Sequence, residues 1–356
     1  MTDYATMNEM RKQMRRDLPA YAFARTPWCA AILIAANLLI GALFYLDMRY
    51  ALPWYATGAL SLFLGYVYFI IAIVAHDTIH GSIAKSRSQR YALTYLGYYP
   101  FFISPHLWDV WHCAHHSRTN TQHDPDANPC WHEAQNNRFT RLLSWLMPSK
   151  TNRVRGVLFY FYWFTADAQT MLWNNSGFKE LNFESYGFNK RRAILDTAAY
   201  LCFWIAVFFL IGPVRFVFLA VIPMMIGNAI FMAFATSEHI YLPRTRVNDA
   251  LDNTVSVKVP KIVDLLTLNF SHHVEHHLFP NMSFVHTPLA RAWLRKNMRG
   301  RYLELSLPQA LKIVFETERL YKDDYVLVDR NDNPQCAVDT RDILRRLRPP
   351  VASQQT

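Results

Sequence analysis

The residues of this chain whose types and spacing could do chemistry are its histidines, 14 among 356 residues. His76 and His80 form a His-x-x-x-His pair. His112, His115 and His116 form His-x-x-His-His, and His273, His276 and His277 repeat that spacing. On a helix, positions i and i+4, or i, i+3 and i+4, share one face within about 100° of arc, so each cluster can aim its imidazoles at one centre. A lone histidine near a helix end is more often a core or interfacial residue than a ligand. Two His-x-x-His-His patterns arise by chance less often than roughly once in a thousand such chains, and a metal site is the better reading. Eight histidines exceed the four ligands of one tetrahedral zinc, or three if catalytic, so two metal ions are expected. Neutral imidazole suits iron, copper, nickel and zinc alike, which leaves the metal's identity open. The Glu-x-x-His signature of soluble carboxylate-bridged metal pairs is absent, because no Glu here is followed three residues later by His.

Such clusters need rigid elements behind them, and composition says which kind. The chain is 52% hydrophobic and 15% aromatic with 11 glycines, which predicts a largely helical, lipid-facing body forming one integrated unit. Four stretches, 28–46, 54–75, 197–212 and 216–235, are long enough to cross a bilayer, the third able to start a turn earlier at Ile194. The short connections 47–53 and 213–215 join them into two helical hairpins, and those loops hold only Arg49 and Arg215. Arg11, Lys12, Arg15, Arg16, Lys190, Arg191 and Arg192 lie on the other side, which is cytoplasmic by the positive-inside rule. The expected fold is an all-α integral membrane protein: four transmembrane helices in two hairpins, with a cytoplasmic helical cap carrying the histidine clusters. The expected division is a basic cytoplasmic segment 1–27, a membrane catalytic domain 28–300 and a polar tail 301–356. The first segment lacks a cleavable signal pattern. Apolar stretches 91–104 and 157–173, interrupted by Pro100 and Asp167, read as interfacial or re-entrant helices, and 309–321 as an amphipathic helix. The net charge of +10 suits anionic lipid or an acidic protein partner better than nucleic acid in a chain with apolar spans. Five scattered cysteines with no Cys-x-x-Cys predict neither a disulfide framework nor a thiolate site.

With these features assembled, the sequence resembles the membrane fatty acid desaturase superfamily. The resemblance rests on His76-Asp77-Thr78-Ile79-His80; on Trp111-His112-Cys113-Ala114-His115-His116 followed by Thr119-Asn120 and Asp124-Pro125-Asp126; and on His273-Val274-Glu275-His276-His277-Leu278-Phe279-Pro280. It covers residues 28–290 and is specific for the superfamily, not for the substrate. It implies two iron ions in a non-haem centre at the cytoplasmic face, dioxygen as co-substrate, an acyl tunnel beneath, and electrons from ferredoxin or cytochrome b5. It also implies a ninth histidine, matched by His239 in Ser237-Glu238-His239; where several relatives have an asparagine four residues earlier, this chain has Ala235. The implied ligand set is therefore His76, His80, His112, His115, His116, His239, His273, His276 and His277.

Asp77, Asp124, Asp126, Glu238 and Glu275 stand beside these positions and can accept the other ring N–H, or serve as ordinary caps. His272 sits at the edge of its cluster's arc and reads as supporting or solvent-exposed, while His106, His123, His132 and His286 have no cluster partners. Asn228 and Asn37 put amides at membrane depth, to line a substrate tunnel or to bond between helices. Trp108, Trp111, Tyr98 and Tyr99 read as an interfacial aromatic belt rather than tunnel walls. No Gly-x-Gly-x-x-Gly or His-Pro-Gly-Gly motif supplies electrons from within the chain. Breaking an unactivated C–H bond needs a redox metal, and the resemblance implies desaturation of a fatty acyl chain as the reaction. Hydroxylation, acetylenic bond formation and decarboxylation to a terminal alkene share its first step. A histidine-rich metal transporter or sensor is the rival of another class; it would place its ligands at mid-membrane, not at span ends.

Overall fold

The computed structural model describes residues 7–173, 183 and 187–348. The described chain is mostly helical with little sheet, and it divides into two compact units: a helical unit, Ala24–Ala114 with Tyr160–Ala233, and a mixed unit, Met1–Phe23 with His115–Phe159 and Phe234–Thr356.

In the helical unit, α2 (Ala30–Tyr50) and α3 (Trp54–Ile79) are separated by three residues. Helices α4 (Arg87–Tyr98), α9 (Trp163–Trp173) and α10 (Lys190–Ile211) follow. Pro27–Tyr50, Trp54–Ile79, Lys190–Ile211 and Pro213–His239, the last here α11, are long and apolar enough to cross a membrane. They extend the four expected spans at their ends, the third by seven residues because Asn189 caps its first turn at Arg192. Leu38, Leu195, Phe209 and Leu210 stand exposed on α2 and α10, the inverse of a soluble surface. α3 is the packed core helix; a Cβ at Gly65 would lie 2.5 Å from Ile226 side-chain carbons, so only glycine permits α11 to approach this closely.

Pro223 lacks the N–H that would bond the carbonyl four residues back, and a turn of π-helix, Val217–Val221, precedes it. Tyr68 Oη donates to Leu219 O at 3.0 Å and Ser61 Oγ donates to Phe218 O, so both freed carbonyls are satisfied from α3. Asn228 donates to Met224 O and to Thr165 Oγ1 and accepts from Thr165 N at 2.9 Å. Of its two sequence readings, the interhelical bond is the one observed. Asp47 accepts from Thr57 Oγ1 at 2.7 Å and pairs with Arg215 at 3.0 Å.

The apolar stretch 91–104 begins earlier than its apolar residues suggest, because Ser86 and Gln89 form a capping box that opens α4 at Arg87. It ends in a short 3-10 turn, Tyr99–Phe101, around Pro100. The stretch 157–173 divides into α8 (Arg153–Phe159) and α9, and Asp167 lies inside α9 instead of breaking it.

In the mixed unit, α1 (Met7–Asp17) buries Met10 and Met14 among Val274, Leu278, Phe279 and Leu294. Strands β1 (Ser256–Lys258) and β2 (Glu304–Ser306) pair parallel, and β3 (Leu320–Tyr321), β4 (Val326–Val328) and β5 (Val338–Asp339) form an antiparallel sheet. The amphipathic helix expected at 309–321 is α15 (Leu307–Glu316), opened by a Ser306/Gln309 capping box. It stops early because Arg319 is buried and donates to Pro148 O and Ile240 O, drawing the chain into β3.

Candidate metal centre

Helix α5 (Pro105–Arg118) carries the second cluster. It starts where Ser104 Oγ accepts from His106 N and Leu107 N, with Pro105 in its first turn. Two residues past its end stands Asn120, whose φ of 50° is the left-handed cap conformation. Asp124 takes the Asn120 and Asp126 amides at 2.6 and 2.9 Å, which gives the Thr-Asn and Asp-Pro-Asp residues after the cluster a local reason. Helix α13 (His273–Leu278) carries the third cluster. Arg11 of α1 donates to the carbonyls of His277 and Leu278 at its end.

Within the helical unit, His76, His80 and His112 bring ligand nitrogens within 4.8 Å of one another. His76 Nε2 lies 2.7 Å from His112 Nε2, and the Trp108 ring stacks on His112 at 4.5 Å. Trp108, Trp111 and Tyr98 are buried, so they form no exposed belt; Trp108 is walled by Tyr98 and Phe164 and holds the His112 ring plane.

Within the mixed unit, His115, His239 and His277 likewise gather within 4.8 Å, and so do His116 and His276. His273 joins them, with its Nε2 2.6 Å from His239 Nε2 and 3.0 Å from His277 Nε2. The opposite nitrogens identify the tautomers. His115 Nδ1 is 2.8 Å from Asp124, His273 Nδ1 is 3.1 Å from Glu238, and His239 Nδ1 is 3.2 Å from the Asn253 carbonyl. The Asn253 carbonyl only accepts, and both Asp124 oxygens already take backbone N–H groups, so the Nδ1 of His239 and of His115 carries the proton. Thr119 Oγ1 donates to His115 O at 2.8 Å and therefore accepts from His277 Nδ1 at 3.1 Å. His239 and His277, whose Nδ1 protons go to the Asn253 carbonyl and Thr119, keep bare Nε2 lone pairs, and these nitrogens lie 2.6 and 3.0 Å from His273 Nε2. This donor set fits metal ions.

Burial alone would lower the pKa of His115, but Asp124 and Asp126 outweigh it and hold it up at about 9. Burial, with His273, His239, His115 and His276 around it, keeps His277 well below the ordinary imidazole range. Asp124 and Asp126 also stand with His115 as a trio of ligand atoms, yet Asp124 is already spent on ring and backbone N–H groups.

Other sequence candidates fall elsewhere. Asp77 accepts from Ser82 Oγ at 2.6 Å. Glu275 accepts from Ser256 Oγ at 2.6 Å and Tyr302 Oη at 2.5 Å. His272 is buried, not solvent-exposed: its Nδ1 meets Thr287 Oγ1 at 3.0 Å. His106, unpartnered in the sequence, pairs with Asp196 at 2.8 Å. Thr119 and the Asn253 carbonyl were missed as ring-orienting groups, because a threonine four residues past a histidine and a loop carbonyl carry no pattern.

Comparison with known proteins places the chain in a family. A family model described as fatty acid desaturase matches residues 52–307. An sn-1 oleoyl-lipid 12-desaturase from Synechocystis is 24% identical over 297 residues, covering 79% of this chain and 80% of that protein. One of the same description from Anabaena variabilis is 25% identical over 340 residues, covering 88% and 90%. An sn-1 acyl-lipid omega-3 desaturase (ferredoxin) from Synechocystis is 24% identical over 99 residues, 28% of this chain and 27% of that protein. The family match spans more than half of the chain and includes all nine candidate ligands, so this chain belongs to the fatty acid desaturase family.

Proposed function

We propose that this protein is an oxygen-dependent acyl desaturase whose nine histidines, His76, His80, His112, His115, His116, His239, His273, His276 and His277, hold two iron ions. The observation that carries the reading is the set of Nδ1–H groups of His115, His239 and His277 committed to oxygen acceptors, which leaves Nε2 as the nitrogen each ring can offer to a metal. When bound, iron supplies the redox chemistry that acid–base side chains cannot apply to a methylene C–H bond. Asp124, Glu238, Thr119 and the Asn253 carbonyl orient the rings, and Trp108 keeps the His112 ring in place. In the overall balance two hydrogens leave adjacent carbons, dioxygen becomes two waters, an external donor provides two electrons, and two protons come from solvent. The printed names of the relatives favour an acyl chain in a lipid as substrate and ferredoxin as donor, with cytochrome b5 as the alternative donor. The loop charge asymmetry supports two hairpins with both termini and the metal centre on the cytoplasmic side of the membrane.

The test is to supply reduced ferredoxin and dioxygen with lipid-bound, carrier-bound and free acyl chains and to weigh the products. An alkene that keeps every carbon, formed from the lipid-bound chain, is the expected result. A hydroxylated chain, an alkyne, or an alkene one carbon shorter would replace desaturation with that reaction, and metal uptake without any product would favour a carrier.

A further inference from the structure

Two neighbouring helices of the mixed unit, α7 (Arg138–Leu146) and α8 (Arg153–Phe159), turn large apolar side chains to the outside. On α7, Phe139, Leu142 and Trp145 recur every third residue; on α8, Val154, Val157 and Leu158 follow at i, i+3 and i+4, so each set forms one stripe. Their exposure runs from 37% at Trp145 to 80% at Val154. In the same unit α15 shows the ordinary outcome, with Ala310 and Val314 buried in a core cluster. The two helices are fastened to each other. A Cβ at Gly156 would lie 2.5 Å from Pro148 Cα, so glycine lets α8 close on the chain that leaves α7. Asn152 donates to Trp145 O and Met147 O at 2.7 and 2.8 Å, and the Arg155 guanidinium lies 4.2 Å over the Trp145 ring, which joins the two stripes. The charge here has one sign: residues 138–159 hold Arg138, Arg141, Lys150, Arg153 and Arg155 and no Asp or Glu. Arg141 donates to Ala134 O and Gln135 O. Arg138 and Arg153 are exposed at the first position of each helix, where a cation opposes the helix dipole, so neither is placed to stabilise its own helix.

We propose that α7 and α8 dock on anionic phospholipid, with their apolar stripes at the acyl boundary and Arg138 and Arg153 at the headgroup phosphates. Four helices long enough to cross a membrane keep the chain at a bilayer. An apolar stripe flanked by cations and free of acids is the pattern of a helix that lies in an anionic interface. A second copy on the same face would set the five cations against their own counterparts, which like-charge repulsion opposes. The proposal holds whatever reaction the metal centre performs.

The experiment is photolabelling of the full-length protein in lipid nanodiscs by a phosphatidylcholine with a diazirine near the ester end of one chain, the depth at which an interfacial helix lies. Labelled residues are mapped by mass spectrometry, with and without phosphatidylglycerol in the discs, and α15 is the reference because its apolar face is packed. In wild type with phosphatidylglycerol, label should concentrate on the stripes of α7 and α8 in excess of α15. Arg138→Gln with Arg153→Gln should lower that excess at least about fivefold, the worth of one arginine at an anionic surface. Removing phosphatidylglycerol should lower wild type at least as far and move this variant less. Leu142→Asp with Val157→Asp, at positions about half exposed where the fold tolerates them, should bring both helices to the α15 level. Labelling no higher than on α15, which a second copy or a soluble protein seated on this face would give, or an excess indifferent to phosphatidylglycerol or to the arginine pair, would overturn the proposal.

Discussion

Thr119→Val tests the ring-orienting logic at a residue that cannot itself ligate a metal. The substitution keeps the shape of the side chain and deletes a hydroxyl that donates to His115 O at 2.8 Å and accepts from His277 Nδ1 at 3.1 Å. Thr119 and His277 are both buried, so the imidazole N–H loses its acceptor without water to replace it. An unsatisfied buried donor costs about 1–3 kcal/mol. Partners that orient metal-bound histidines are worth roughly 10–100-fold in metal affinity. At about 1.4 kcal/mol per tenfold the two figures describe the same loss. Iron retained per chain should be measured after dialysis against graded chelator, for wild type, Thr119→Val and Thr119→Ser. The valine variant should release iron at roughly 10–100-fold lower chelator, and the serine variant should stay within about twofold of wild type, because it restores the acceptor. Unchanged iron retention in the valine variant, with its helical circular dichroism intact, would refute the reasoning.

Other predictions concern the supports of the same clusters. Arg11→Ala removes two charge-assisted bonds to the His277 and Leu278 carbonyls and should lower stability by about 2 kcal/mol, read as a fall in Tm, with iron lost on mild heating before the helices melt. His273→Ala should abolish activity and iron binding, whereas His272→Ala, losing its contacts with Thr287 and Asp264, should keep both at a cost of about 1–2 kcal/mol in stability; equal loss of iron in the two variants would contradict the ligand assignment. For topology, cysteine replacing Lys85 should be shielded from an impermeant thiol reagent in intact cells and cysteine replacing Leu52 should react; the reverse pattern would invert the proposed sidedness.

Much of the scaffold was legible because lipid imposes a strong pattern: uninterrupted apolar runs located all four spans, and fixed histidine spacings located the clusters. Ends and breaks were less legible. Asn189 extends α10 beyond its apolar run through a side-chain cap, and Arg319 cuts α15 short through bonds to carbonyls more than seventy residues away in sequence. At the clusters, Asp124 and Glu238 were found from adjacency alone, and each meets a histidine Nδ1. Glu275, equally adjacent, points instead into a Ser256 and Tyr302 network, because neighbours on a helix face different directions. His106 illustrates the same limit: its partner Asp196 is ninety residues away in sequence, and no local spacing announces it.

The most direct test of the central claim is the metal content of the purified protein, compared among wild type, His80→Ala and His276→Ala, one change in each unit. Wild type should hold two iron ions per chain, and both variants should lose iron. Zinc alone in wild type, or full iron occupancy in either variant, would contradict a single histidine-bound iron pair.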